Sequence, residues 1–339
     1  MSFAAPDPTP PPMRKLAVPI VLLCAMSVIG CRPYGQDSPF NRPVPGSPKL
    51  LSNSGAIVDR LDGWGPVQQL RAGHADTSGD YFHPVYVPSA KDPVYTVRCE
   101  RWTSSCEVEG HRVRIPSKAR PAGGADGHLA AVQPDGWEYD FWQVRSKPAN
   151  GGTLVVSHGG RTRYRGDGLG SDATAAEFGL AAGVISGEEM KLGRIDHALF
   201  MHVRCTSGTS VYPATPGTTG SICSDRGNAP PLGAHVWLDM SEAQIAALRV
   251  PTWKKTILRA LHRYGAYVGD TTGGSVSWGL QGLSGSSYTS FGRTDPWVDV
   301  ARSAGLERWR GSFYFDMDSG VDWRRHLKVV HPCVANRTC

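Results

Sequence analysis

Trp137-Glu138-Tyr139-Asp140-Phe141-Trp142-Gln143-Val144 interleaves aromatic and acidic residues in strict alternation up to Phe141. Side chains alternate along an extended chain, so this spacing predicts a strand on which Glu138, Asp140 and Trp142 share one face. Similar β-branched and aromatic density recurs at Val94 to Cys99, His128 to Gln133, Thr153 to Ser157, Ile195 to Cys205, His235 to Met240 and Ser275 to Leu280, with turn residues between the runs. Many short strands punctuated by Gly and Pro predict a mainly β fold, a jelly roll or sandwich.

Composition agrees. The 339 residues include 40 Gly and 26 Pro, which excludes coiled coils, helical solenoids and long bundles, while 10 Trp, 11 Tyr and 9 Phe exclude collagen and wholesale disorder. The 36 Lys and Arg exceed the 30 Asp and Glu by a net +6 without long runs of like charge, so nucleic acid is not expected as a partner. Two or three short helices should pack on the sheets. The first begins near Pro251, lines Trp253, Ile257, Ala260, Leu261 and Tyr264 along one face and stops at Gly265. A second runs from Asp295-Pro296 to Ala304, and a shorter one from Ser241 to Leu248. No linker or repeat interrupts the chain beyond about residue 50, so residues 51–339 read as a single β-rich domain, expected to be a monomer.

The N-terminus predicts export. Met13-Arg14-Lys15 precedes an apolar run from Leu16 to Gly30, shorter than the ~20 residues of a membrane-spanning helix and suited to a signal peptide over residues 1–30. Val28-Ile29-Gly30-Cys31 resembles a bacterial lipobox, which implies lipidation of Cys31, a proline-rich tether over 31–50, membrane attachment through the N-terminal lipid only, and an extracellular or cell-surface location. Of the eight cysteines, removing Cys24 with the signal and Cys31 with the anchor leaves Cys99, Cys106, Cys205, Cys223, Cys333 and Cys339. An even set in an exported chain reads as disulfides, and pairing of near neighbours gives Cys99–Cys106, Cys205–Cys223 and Cys333–Cys339. Their spacing does not suit zinc, and no metal or other cofactor is expected.

Chemistry concentrates around the first strand. Two carboxylates and an indole on one face suit sugar chemistry, in which carboxyl groups act as acid, base or nucleophile and an aromatic ring stacks on a pyranose. His158, beside Gly159-Gly160, and His197 on the run Ile195 to Cys205 join Glu138 and Asp140 as candidate catalytic residues. His128, Trp142, Arg161, Arg163 and Tyr164 are candidates for binding substrate, the last three forming a polar rim with Asp167. No G-x-S-x-G elbow, P-loop, H-E-x-x-H or dinucleotide fingerprint occurs, which removes the main support for serine hydrolase, kinase, zinc protease and dehydrogenase readings.

The string Glu138-Tyr139-Asp140-Phe141-Trp142-Gln143 resembles the E-x-D-x-x-E strand motif of family 16 glycoside hydrolases, concanavalin-like jelly rolls acting on β-glucans and galactans. The resemblance implies an endo-acting glycoside hydrolase of polysaccharide, with Glu138 as principal catalytic carboxylate, Asp140 orienting it and Trp142 stacking on sugar. Gln143 stands where the family carries its acid/base glutamate, so the acid is expected from another strand, with Asp126, Asp196 and Asp270 as candidates. One alternative is a polysaccharide lyase, in which His128, His158 or His197 acts with Arg161 or Arg163 and Tyr164 or Tyr139. Another is a non-catalytic glycan-binding envelope lipoprotein. Val211-Tyr212-Pro213-Ala214 and the run from Ala260 to Asp270 resemble strings of a group of secreted bacterial proteins, which implies location and no particular chemistry.

Overall fold

The computed structural model describes residues 32–339 apart from Asp76, Asp172 and Ser275, so the expected signal peptide and Cys31 lie outside the described residues. In chain order the strands are β1 (Leu70–Ala72), β2 (Val85–Tyr86), β3 (Val94–Cys99), β4 (Arg112–Arg114), β5 (Leu129–Val132), β6 (Trp137–Ser146), β7 (Gly152–Arg163), β8 (Leu199–Val203), β9 (His235–Leu238), β10 (Ala266–Thr271), β11 (Trp278–Leu280), β12 (Phe313–Phe315) and β13 (Leu327–Val330). They form a six-stranded sheet ordered β2-β5-β6-β7-β3-β4, a five-stranded sheet ordered β11-β8-β10-β9-β13, and the pair β1-β12. Of the two expected architectures this is the sandwich. Parallel pairing of β3 with β7, β2 with β5 and β10 with β8 separates it from an all-antiparallel jelly roll.

The alternation in β6 sorts two cores. Tyr139 and Phe141 join Leu129, Ala131, Leu154 and Val156 in one core, closed from outside by Cys106, Val108, Val113 and Ile115. On the opposite face, Glu138 lies across from Val132 and Asp140 from Ala130. Val85, Ala130 and Val132 belong to the larger core, shared with Leu199, Met201, Val236 and Val268 of the five-stranded sheet. Glu138 and Asp140 therefore point between the sheets. At Gln143 the backbone turns left-handed, with φ of +51°, and the parity of the strand changes: Val144 packs with Tyr139 and Phe141 although its number is even, and a bulge then shifts the β6–β7 register between Val144 and Ser146.

All three expected helices form, at Glu242–Ala247, Thr252–Arg263 and Pro296–Ser303. Ser241 and Gln244 make a reciprocal capping box, and the Asp295 side chain accepts from the Trp297 N–H. Gly265 follows the long helix at φ of +72°, where a Cβ would meet His235 Nε2 at 2.4 Å. The expected number of helices is too low. Ser54–Gly63, Gly187–Leu192, Ser286–Thr289, Trp323–His326 and Pro332–Asn336 are also helical, and four of these are too short to show a periodic apolar face.

The tether expected over 31–50 is corrected over residues 33–41, which pack into the fold. Phe40 has no exposed surface and meets Phe178 and Tyr267 edge-on at 5.2 and 5.3 Å. Asn41 Nδ2 donates to the carbonyls of Pro33 and Gly35, which satisfies the backbone of the segment inside the fold. Proline content marked this stretch as irregular, and irregular chain is buried when its aromatic residues find a core. The disulfides are Cys99–Cys106, Cys205–Cys223 and Cys333–Cys339, which points to an oxidising, extracellular environment. Among the described residues no helix is long and apolar enough to cross a membrane.

Candidate functional site

The inward face of β6 is dry at one end and open at the other. Glu138, at the dry end, has no exposed surface; its carboxylate accepts the Tyr34 hydroxyl at 2.9 Å and the Ala181 N–H at 2.8 Å. Asp140, also without exposed surface, accepts the Ser171 hydroxyl at 2.7 Å. Burial raises both carboxyls above their ordinary range, against the stabilising bonds from Ala181 and Tyr34 in Glu138, while the charge of Glu138 raises Asp140 further. These two residues, expected to perform catalysis, instead fasten the 32–41 and 171–181 segments to the sheet, and neither reaches solvent.

Trp142 stands where the face opens. Its half-buried ring stacks against Trp102, with centroids 5.4 Å apart and planes at 25°. Trp102, 58% exposed, sits on the loop closed by Cys99–Cys106. His158 is opposite Trp142 in the β6–β7 register and meets Trp102 edge-on at 5.7 Å. Trp142 Nε1–H donates to Asp126 Oδ1 at 3.3 Å, and the Gln143 N–H donates to the Asp126 carbonyl at 2.8 Å. Gln143 Oε1 also accepts from the Ser157 hydroxyl at 2.8 Å and from Arg145 at 2.7 Å, so this residue braces the strand just before the bulge.

Asp270 approaches from the other sheet. It is opposite His202 in the β10–β8 register and partly exposed, and burial with the added charge of Asp126 pushes its carboxyl up to about 7. Beneath lie three imidazoles, those of His83 and His128 buried and that of His202 partly so. His83 and His128 meet edge-on with centroids 4.8 Å apart; His83 Nδ1 bonds the Leu180 carbonyl at 2.8 Å and His128 Nε2 the Ala173 carbonyl at 3.2 Å. Burial lowers the pKa of all three, that of His202 to about 4, so the layer is uncharged at neutral pH. His158 is lowered as well, by burial, against the opposing charge of Glu177. Among the described residues no group of three or more His, Cys, Asp or Glu side chains is arranged to hold a metal ion.

Other expected site residues lie elsewhere. Arg161 is opposite Tyr139, on the outward side of β6; its Nε donates to Glu107 at 2.9 Å, and its guanidinium and that of Arg163 lie 4.2 and 3.8 Å from the Trp137 ring centroid. Tyr164 packs on Tyr34 at 5.8 Å. The rim expected from these three is thus a packed surface away from Trp142. His197 is buried, bonded to Glu189 at 3.0 Å and to the Ala198 carbonyl at 2.9 Å. Burial disfavours its charge, yet the Glu189 charge and hydrogen bond outweigh this and raise its pKa. Asp196 pairs with Arg194 at 2.6 Å.

The structure therefore gathers Trp142, Asp126, His128, His158 and Asp270 from the sequence candidates and adds Trp102 and Glu177. Trp102 was signalled only by its place between two nearby cysteines in Cys99-Glu100-Arg101-Trp102-Thr103-Ser104-Ser105-Cys106. Glu177, at φ of +59°, carries no local motif. Compared with protein-family models, curated proteins and solved structures, the chain matches none.

Proposed function

We propose that the protein is an exported glycoside hydrolase acting on polysaccharide where Trp102, Trp142, Asp126 and Asp270 meet. The observation that carries this reading is the stacked indole pair, one ring 58% exposed, bonded through Trp142 to a carboxylate whose charge reaches a second carboxyl held at about 7. An exposed indole presents the flat apolar surface that the C–H face of a sugar ring covers.

Cleavage of a glycosidic bond needs one carboxyl that keeps its proton near neutral pH and one carboxylate. Asp270 suits the first role, giving its proton to the glycosidic oxygen as the C–O bond breaks. Asp126 suits the second, stabilising positive charge at the anomeric carbon or activating the water that attacks it; that water supplies the sugar hydroxyl and the proton that restores Asp270. His158 enters as a neutral imidazole able to bond sugar hydroxyls. A β-elimination route has less support, because Arg161 and Arg163 are engaged by Glu107 and Trp137. We place residues 1–30 as the signal peptide and Cys31 as a lipid anchor at the cell surface.

Release of reducing ends from neutral glucans, galactans and arabinans and from polygalacturonate and a sulfated galactan tests the reading. Activity lost in Asp270→Asn supports it. Silence of the folded wild type across the panel overturns it, and glycan binding by the wild type without any turnover would leave a binding protein.

A further inference from the structure

A groove of about 320 Å³ runs beside the bulge, between the 117–121 loop and the last residues of β6. Lys118, Arg120, Arg145 and Lys147 line it, and none of its lining residues is acidic. Lys147 is anchored, its ammonium donating to the Ser117 carbonyl at 2.8 Å and lying 5.2 Å from the Tyr95 ring centroid; its partial burial lowers its pKa. Arg145 is anchored through Nε to Ser157 at 3.3 Å and through Nη2 to Gln143, which leaves Nη1 without a hydrogen bond among the described residues. Lys118 is exposed and has no hydrogen bond or ion pair among the described residues.

Lys118, Arg145 and Lys147 share a lining that has no acidic side chain and repel one another, and anchoring two of them fixes that repulsion. An anionic ligand relieves it, and Arg145 offers the geometry that carboxylate or sulfate oxygens accept. The groove also continues the proposed site: from Trp142 to Ser146 the strand advances about 13 Å at ~3.3 Å per residue, and Gln143 is bonded both to the Asp126 carbonyl and to Arg145.

We infer that this groove binds acidic substituents of a polysaccharide, carboxylate or sulfate, so that the substrate class is a polyanionic glycan whose chain extends from the tryptophan pair along β6. The inference rests on the polysaccharide reading above, but its test needs no turnover.

Affinity electrophoresis through gels containing polygalacturonate, a sulfated galactan or neutral galactan separates the outcomes. The wild type should be retarded by at least one acidic polymer, progressively less with added salt. Lys118→Glu should weaken that binding at least about fivefold, and Lys118→Gln should fall between. Lys49→Glu, the same charge change at an exposed residue outside the groove, should leave it within about twofold. The two acidic gels tell carboxylate from sulfate. No retardation by either polymer, or equal losses in Lys118→Glu and Lys49→Glu, overturns the inference. Failure of hydrolysis alone leaves it standing.

Discussion

Trp102 lies over Trp142 with ring planes 25° apart, joining the disulfide-closed loop to the strand that carries the carboxylates. The contact leaves the outer ring 58% exposed, so its removal should disturb binding more than folding. Trp102→Ala is expected to weaken glycan affinity about fivefold while costing less than about 1.5 kcal/mol of stability. Affinity electrophoresis beside denaturant unfolding measures both, and unchanged affinity would remove the platform from the site.

Asp270 gives a prediction in pH. A general acid held at about 7 should make turnover fall as pH rises through that value, and Asp270→Asn should lower kcat roughly hundredfold or more. Stability should move oppositely. The unfolded carboxyl titrates near ~3.9, so between that value and about 7 the native state keeps a proton that the unfolded chain has released, and the contribution of this group falls as pH rises across the window. Asp270→Asn should therefore raise Tm relative to the wild type more at about pH 8 than at about pH 5. Equal Tm differences at both values would refute the raised pKa.

Glu138→Gln tests where the chemistry resides. The amide preserves volume, and its oxygen still accepts the Ala181 N–H while its NH2 faces the Tyr34 hydroxyl. Reducing-end release should stay within about twofold of wild type. A collapse of kcat with an unchanged melting temperature would return catalysis to Glu138.

Phe40→Ala measures what the former tether contributes. Emptying a fully buried site between Phe178 and Tyr267 should cost about 3–5 kcal/mol. Guanidinium unfolding reads the loss directly, and a change below about 1 kcal/mol would show that the segment docks weakly.

Legibility followed the range of the interactions. Val94–Cys99 coincides with its expected strand, and Thr252–Arg263 falls between Pro251 and Gly265, because alternation, caps and stops are local. Alternation in β6 also put Glu138, Asp140 and Trp142 on one face, but a shared face carries no depth: the five-stranded sheet and the Tyr34 segment bury the first two and spare the third. Asp126 and Asp270 were visible only as candidates, since the turn before β5 and the end of β10 belong to different sheets and approach only through tertiary packing. Phe40 and Trp102 were missed for related reasons, a buried aromatic inside a proline-rich stretch and an exposed one inside a cysteine loop.

The loop from Cys99 to Cys106 ties chemistry to geography. Its covalent closure fixes the short span that holds Trp102 over Trp142, and such a bond persists only outside a reducing cytosol. A newly made chain still among cytosolic thiols has the rest of the sandwich available to it but lacks this clasp on the outer indole. On the function proposed above, the site is therefore completed only in an oxidising compartment, so that a saccharide in a reducing one meets an unfinished surface.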